Sequence, residues 1–187
     1  MAKATNALTK GLSGKVSGLV FRQHANGTVS VGDAPRPSTK APGADTLARR
    51  QRFQQAAFYG RSVQQDPALK AAYETGITAD STSAYTVAVT DFLNAPDIQG
   101  IDFRSYHGRV GDVIIIQATD DFGITDVHVR IQNSDGSLVE EGTATPDPDG
   151  YTFRYTATAA NASLGGDKII VTVADRPGNH TSEEAPL

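Results

Sequence analysis

The sequence predicts an α+β chain: an amino-terminal β-hairpin and three helices, followed by an all-β sandwich. Three observations carry that expectation. Apolar residues recur at helical spacing between Ala44 and Pro96, the period switches to two beyond Pro96, and turn residues punctuate both parts. The switch places the domain boundary at 96/97, giving a hairpin-and-helix domain over 1–96 and a β-domain over 97–187. A chain of 187 residues can bury one medium core or two small ones.

Residues 14–34 contain Val16, Leu19, Val20 and Phe21, then Asn26-Gly27, then Val29 and Val31. Asn-Gly offers the two positive-φ positions of a type I′ turn between β-branched runs, so a hairpin is expected with its turn at Asn26-Gly27. Pro35 and Pro37 stiffen its exit, because proline cannot donate to a ladder. A two-stranded ribbon is marginal alone in water and needs a surface to lie on.

From Ala44, the residues Leu47, Arg50, Phe53, Ala57, Gly60 and Val63 recur every three or four positions and predict a first helix. Asp66-Pro67 reads as an N-cap followed by proline at the first helical position, opening a short helix with Leu69, Ala72 and Tyr73. Ser81 or Ser83 caps a third, in which Tyr85, Ala88, Val89, Phe92 and Leu93 share a face until Asn94-Ala95-Pro96 stops it.

Strands are expected around Ile98–Phe103, Asp112–Thr119, Val127–Ile131, Leu138–Gly142, Tyr151–Tyr155 and Ile169–Val173. Turn signals separate them at Asn133-Ser134-Asp135-Gly136, Thr145–Gly150 and Asp175-Arg176-Pro177-Gly178-Asn179. Six or seven short strands with such punctuation argue for a sandwich of immunoglobulin type. Only His180–Leu187 remains for a last strand, with Pro186 in it, so that strand is expected to be short or supplied by another chain.

Two resemblances rest on these residues. The segment with Asp120-Asp121-Phe122-Gly123 between two strands, and the run ending Asp175-x-x-Gly178-Asn179, resemble bacterial Ig-like domains. That resemblance implies a binding or spacer module of surface and secreted assemblies, without chemistry. The segment Gly11, Ser13, Gly14, Lys15, Val16 and Gly18, followed by Pro35, Pro37, Thr46, Arg49, Arg52 and Phe53, is similar to an uncharacterised bacterial family with a GxSGKVxG ribbon and an Arg-rich helix. It implies no activity.

The formal charge of −4 is unevenly divided: residues 1–75 carry a net +7 and residues 76–187 a net −11. Such a chain can attract copies of itself head to tail, or hold an anionic partner at its basic end. Lys10, Lys15, Arg22, Arg36, Lys40, Arg49, Arg50 and Arg52, with Phe21, form the basic region. No nucleic-acid reader motif accompanies them, and the acidic part would repel the polymer, so a nucleic-acid partner is disfavoured. The absence of cysteine removes disulfides and thiolate chemistry. His24, His107, His128 and His180 are scattered without a nucleophile at useful spacing, so no enzyme is predicted. No run is long enough to span a membrane, and the basic amino terminus lacks the apolar stretch of a Sec signal peptide.

One metal hypothesis survives. In an immunoglobulin-type sandwich the turns carrying Asp120, Asp121, Asp175 and Asn179 meet at one pole, and hard oxygen donors suit calcium. The competing reading makes them turn residues that bond their own backbone.

The sequence therefore leads to a non-enzymatic structural subunit that self-assembles by strand addition and charge complementarity, into an extracellular filament or a phage-like tubular assembly. Its partners would be copies of itself, with another structural protein as a second candidate. The assembly residues would be Val16, Leu19, Val20, Phe21, Val29 and Val31 of the ribbon and Arg49, Arg50 and Arg52 of the helix. A cytoplasmic location stays open. The alternative is a surface adhesin or carbohydrate-binding accessory module, presenting Tyr106, Phe122 or Tyr151 on its loops.

Overall fold

A computed structural model describes residues 2–4, 12–24, 26–36 and 41–187. The chain is α+β, and its described residues form three helices and three antiparallel sheets of four strands. It divides into two compact units, Met1–Gly43 and Ala44–Leu187. The division falls well before 96/97, and a single unit holds the helices together with the eight later strands. Lys10, Gly11, Pro37 and Lys40 lie outside the described residues.

The first unit is a sheet of order β1-β4-β3-β2, built from β1 (Ala2–Ala4), β2 (Gly14–Val16), β3 (Leu19–Gln23) and β4 (Val29–Asp33). The type I′ turn lies at Ser17-Gly18, where both residues have positive φ (45° and 84°) and Val16 pairs with Leu19. The expectation of that turn at Asn26-Gly27 is corrected. Gln23 pairs with Val29, so the second connection is a five-residue loop, His24–Thr28, in which only Gly27 has a positive φ among the described residues. Asn26 instead accepts from the Thr28 amide (3.1 Å) and hydroxyl (2.7 Å) through its side chain.

In the second unit α1 spans Ala44–Gln65, α2 Pro67–Glu74 and α3 Ala84–Leu93. The expected caps are in place: Asp66 accepts from the amides of Ala68 and Leu69, and Ser83 from that of Thr86. The buried face of α1 differs in part from the expected one, since Leu47 and Phe53 are exposed while Ala56, Gly60 and Val63 are buried. The reason is close approach. A Cβ on Gly60 would lie 2.8 Å from Val89 Cγ2 and 2.9 Å from the Tyr85 ring, so the small side chains let α1 sit directly on α3. Val63, Tyr73, Ala84, Val87 and Ala88 form the helical core.

The remaining strands are β5 (Asp97–Asp102), β6 (Val113–Thr119), β7 (Ile124–Gln132), β8 (Leu138–Thr143), β9 (Thr145–Pro146), β10 (Thr152–Thr156), β11 (Lys168–Asp175) and β12 (His180–Pro186). They form two sheets, β5-β6-β10-β9 and β12-β11-β7-β8. The alternation seen in the sequence puts Ile114, Ile116, Phe153 and Tyr155 from one sheet and Val127, Val129, Ile131, Ile169, Val171 and Val173 from the other into one core. The expectation of a truncated or donated last strand is corrected. Seven residues of β12 pair with β11, from Ala174↔His180 to Lys168↔Pro186, so this tail completes its own sheet. Pro186 is tolerated at the end of an edge strand.

Candidate functional site

The carboxyl end of α3 has no basic residue in its last turn, so its free carbonyls need donors from elsewhere. Asn179 approaches them: its Nδ2, which gives one hydrogen to Asp175, has its second shared among the carbonyl oxygens of Asp91, Phe92 and Asn94 at 3.2–3.3 Å. Arg52 of α1 donates to the Leu93 carbonyl at 3.2 Å and reaches Asn179 Oδ1 at 3.5 Å. Thr181 donates to the Pro96 carbonyl at 2.5 Å, and Asn94 donates to the Asp121 carboxylate. These bonds join the helices to the loops at one end of the two sheets.

Two of those loops are organised by aspartates. Asp120 Oδ2 accepts from the amides of Phe122 (3.0 Å) and Gly123 (2.8 Å), closing the β6–β7 turn. Asp175 Oδ1 accepts from Gly178 (2.9 Å) and Asn179 (2.6 Å), and its Oδ2 takes the Asn179 side chain at 2.6 Å. Gly178, at φ 93°, makes that second turn possible.

Asp91 projects from α3 into the same place. It is fully buried, and one carboxylate oxygen of each of Asp91, Asp120 and Asp175 lies within 4.8 Å of the others. A hydroxyl chain supports it from behind: Tyr73 donates to Asp91 Oδ2 at 2.5 Å, and the Tyr59 hydroxyl lies 2.8 Å from that of Tyr73. Because Tyr73 spends its proton on Asp91, Tyr59 is the donor to Tyr73. The opposite oxygens, Asp91 Oδ1 and Asp120 Oδ1, are buried without a hydrogen-bond partner.

The electrostatics follow. Burial pushes the Asp91 carboxyl up to about 7; the Tyr73 hydrogen bond opposes this, while the Asp120 and Asp175 carboxylates add to it. Tyr73 is raised in turn, by burial and then by its bond to Asp91. No ion pair among the described residues reaches any of the three aspartates. The set can act chemically as a cluster of hard oxygen donors, fully anionic once Asp91 has given up its proton. Its hydrogen-bond partners are hydroxyl, amide and backbone groups.

Of the four residues the sequence singled out for calcium, the structure brings together Asp120 and Asp175. Asp121 is exposed and bound to Asn94, and Asn179 turns its nitrogen toward Asp175 and the α3 carbonyls. Both therefore leave the ligand set, as the Asn179 amide serves as a helix cap. Asp91 takes their place. Its place on the buried face of α3, in the stripe Ala84, Val87, Ala88, was readable from spacing, but the partners it meets there were not.

The loop aromatics are mostly covered. Tyr106 is 4 % exposed, Phe122 stacks on Tyr73 with ring centroids 4.4 Å apart, and Tyr151 is exposed. Of the assembly residues, Val16 and Leu19 are exposed, Val20, Phe21 and Val31 are half-buried, and Val29 is buried. Arg49, Arg50 and Arg52 lie exposed on α1, Arg52 being engaged in capping α3. Compared with known proteins, the chain matches no family model and no curated sequence.

Proposed function

We propose that the protein is a non-enzymatic structural subunit that self-assembles by strand addition at its amino-terminal sheet, as an extracellular filament or a phage-like tubular assembly. The observation that carries this reading is the outer edge of β2. Among the described residues β2 has a neighbour on one side only, and all three of its residues are exposed. Val16 pairs with Leu19 across a two-residue turn, so the Lys15 amide and carbonyl, one position back, point away from β3. An edge of that kind is a template for a further strand. Leu12, Val16 and Leu19 present apolar side chains beside it. Among the residues of this unit whose burial is described only Val29 and Ser30 are buried, so a neighbour would add burial to the sheet.

The second unit fits a spacer module of immunoglobulin type. Its strand orders correspond to A-B-E-D and G-F-C-C′ of that architecture, which supports the finer fold reading. The basic first part and acidic second part of the chain favour a head-to-tail arrangement, and heterologous contacts that do not close build open polymers. Negative-stain electron microscopy of the full chain, over a dilution series at low and high salt, tests the proposal. Filaments or tubes that shorten with salt are expected. Uniform monomers at every concentration would overturn it.

A further inference from the structure

We propose that Asp91, Asp120 and Asp175 form a binding site for a hard divalent cation, calcium, which ties α3 to the two loops beneath it. The three carboxylates come from separate elements: the last turn of α3, the β6–β7 loop and the β11–β12 loop. Their nearest oxygens all lie within 4.8 Å of one another. Calcium–oxygen bonds of 2.3–2.6 Å give a shell about 5 Å across, so one ion can touch all three.

The second observation is the state of the carboxylate oxygens themselves. Asp91 has no exposed surface, and its Oδ1 has no donor. Asp120 Oδ1 is likewise buried and without a donor. The other oxygen of each is already satisfied, by the Tyr73 hydroxyl for Asp91 and by two backbone amides for Asp120. These bonds hold one oxygen of each carboxylate and leave the other free to ligate, as a second shell orients metal ligands. A buried anionic oxygen without a partner is costly, and three carboxylates this close repel one another. A cation offsets both costs at once. Calcium suits the donor set better than zinc or copper, because every donor is a carboxylate oxygen, and it tolerates irregular geometry with waters completing the shell.

The alternative occupant is a proton shared between Asp91 and Asp120. Calcium titration of chelator-treated full-length protein separates the two, followed by calorimetry, by thermal midpoint, and by terbium luminescence. Tyr73 and Tyr59 stand beside the site as sensitisers in a chain without tryptophan. The site predicts one ion per chain, a midpoint that rises with calcium, and sensitised terbium emission that calcium displaces. Asp120→Asn and Asp91→Asn each weaken binding by at least about tenfold. Asp135→Asn, in the exposed turn between β7 and β8, leaves it unchanged. Should Asp91→Asn fail to fold, Asp120→Asn, in a turn that asparagine also accepts, carries the test. No heat, midpoint shift or terbium emission at about millimolar ion would overturn the proposal, as would binding undiminished in Asp120→Asn.

Discussion

Tyr73 shows how one side chain connects packing with electrostatics. Its ring is fully buried between Tyr59 and Phe122, and its hydroxyl is the donor that holds Asp91. Replacing it with phenylalanine keeps the ring but leaves Asp91 Oδ2 without a donor. Tyr73→Phe is therefore expected to lower stability by about 1–3 kcal/mol, read as a lower urea midpoint with an unchanged slope. An unchanged midpoint would mean that the hydroxyl chain does not support the carboxylate. Asp112 offers a pH test at the same scale. It accepts from the amides of Arg109 and His107, which hold its carboxyl below the usual range. A pKa depressed by folding contributes stability that is present above the unfolded value and lost as pH falls through the folded one. The gap in thermal midpoint between wild type and Asp112→Asn should be constant above about pH 5 and shrink below about pH 4. A gap independent of pH down to about 2 would contradict this assignment.

At the scale of elements, the closest packing is α1 on α3 at Gly60. Gly60→Val adds atoms where Val89 and Tyr85 already stand, and is expected to cost about 1–3 kcal/mol in chemical denaturation. Wild-type stability in that variant would mean the two helices have room to part. The sequence stripe of α1 holds at Gly60 and Val63, which are buried, and fails at its amino-terminal end. Leu47 and Phe53 at that end are exposed, whereas Ala56, whose small side chain carries little hydropathy signal, joins Gly60 and Val63 on the buried face. By contrast α2 and α3 were legible from their caps, and the strands from alternation with turns between them. The turn between β2 and β3 was missed because Ser17-Gly18 interrupts what reads as one continuous strand, while Asn26-Gly27 drew the assignment to itself. The last strand was underestimated because its residues, His180–Pro186, are largely polar. That polarity is what an exposed edge strand carries. Two thirds of the carboxylate cluster was legible as well: Asp120 and Asp175 each open an Asp-x-x-Gly turn. Asp91 hid as a single acid on an apolar helix face, where only the topology shows what it meets.

At the scale of the molecule, the two units differ in how they meet their own needs. Residues 44–187 enclose two hydrophobic clusters and hydrogen-bond the helices to the sheets through Asn179, Arg52 and Thr181. Residues 2–36, where described, form a sheet with an open edge and exposed apolar side chains. On the proposed function, the second unit would carry stability and the first association. Sedimentation velocity of the full chain over a dilution series, beside Lys15→Pro, tests that division most directly. Proline at this position removes the outward amide of β2 while keeping its apolar neighbours. The account predicts concentration-dependent assembly for the full chain and its loss in Lys15→Pro. A full chain that stays monomeric, or a proline variant that assembles equally well, would contradict it.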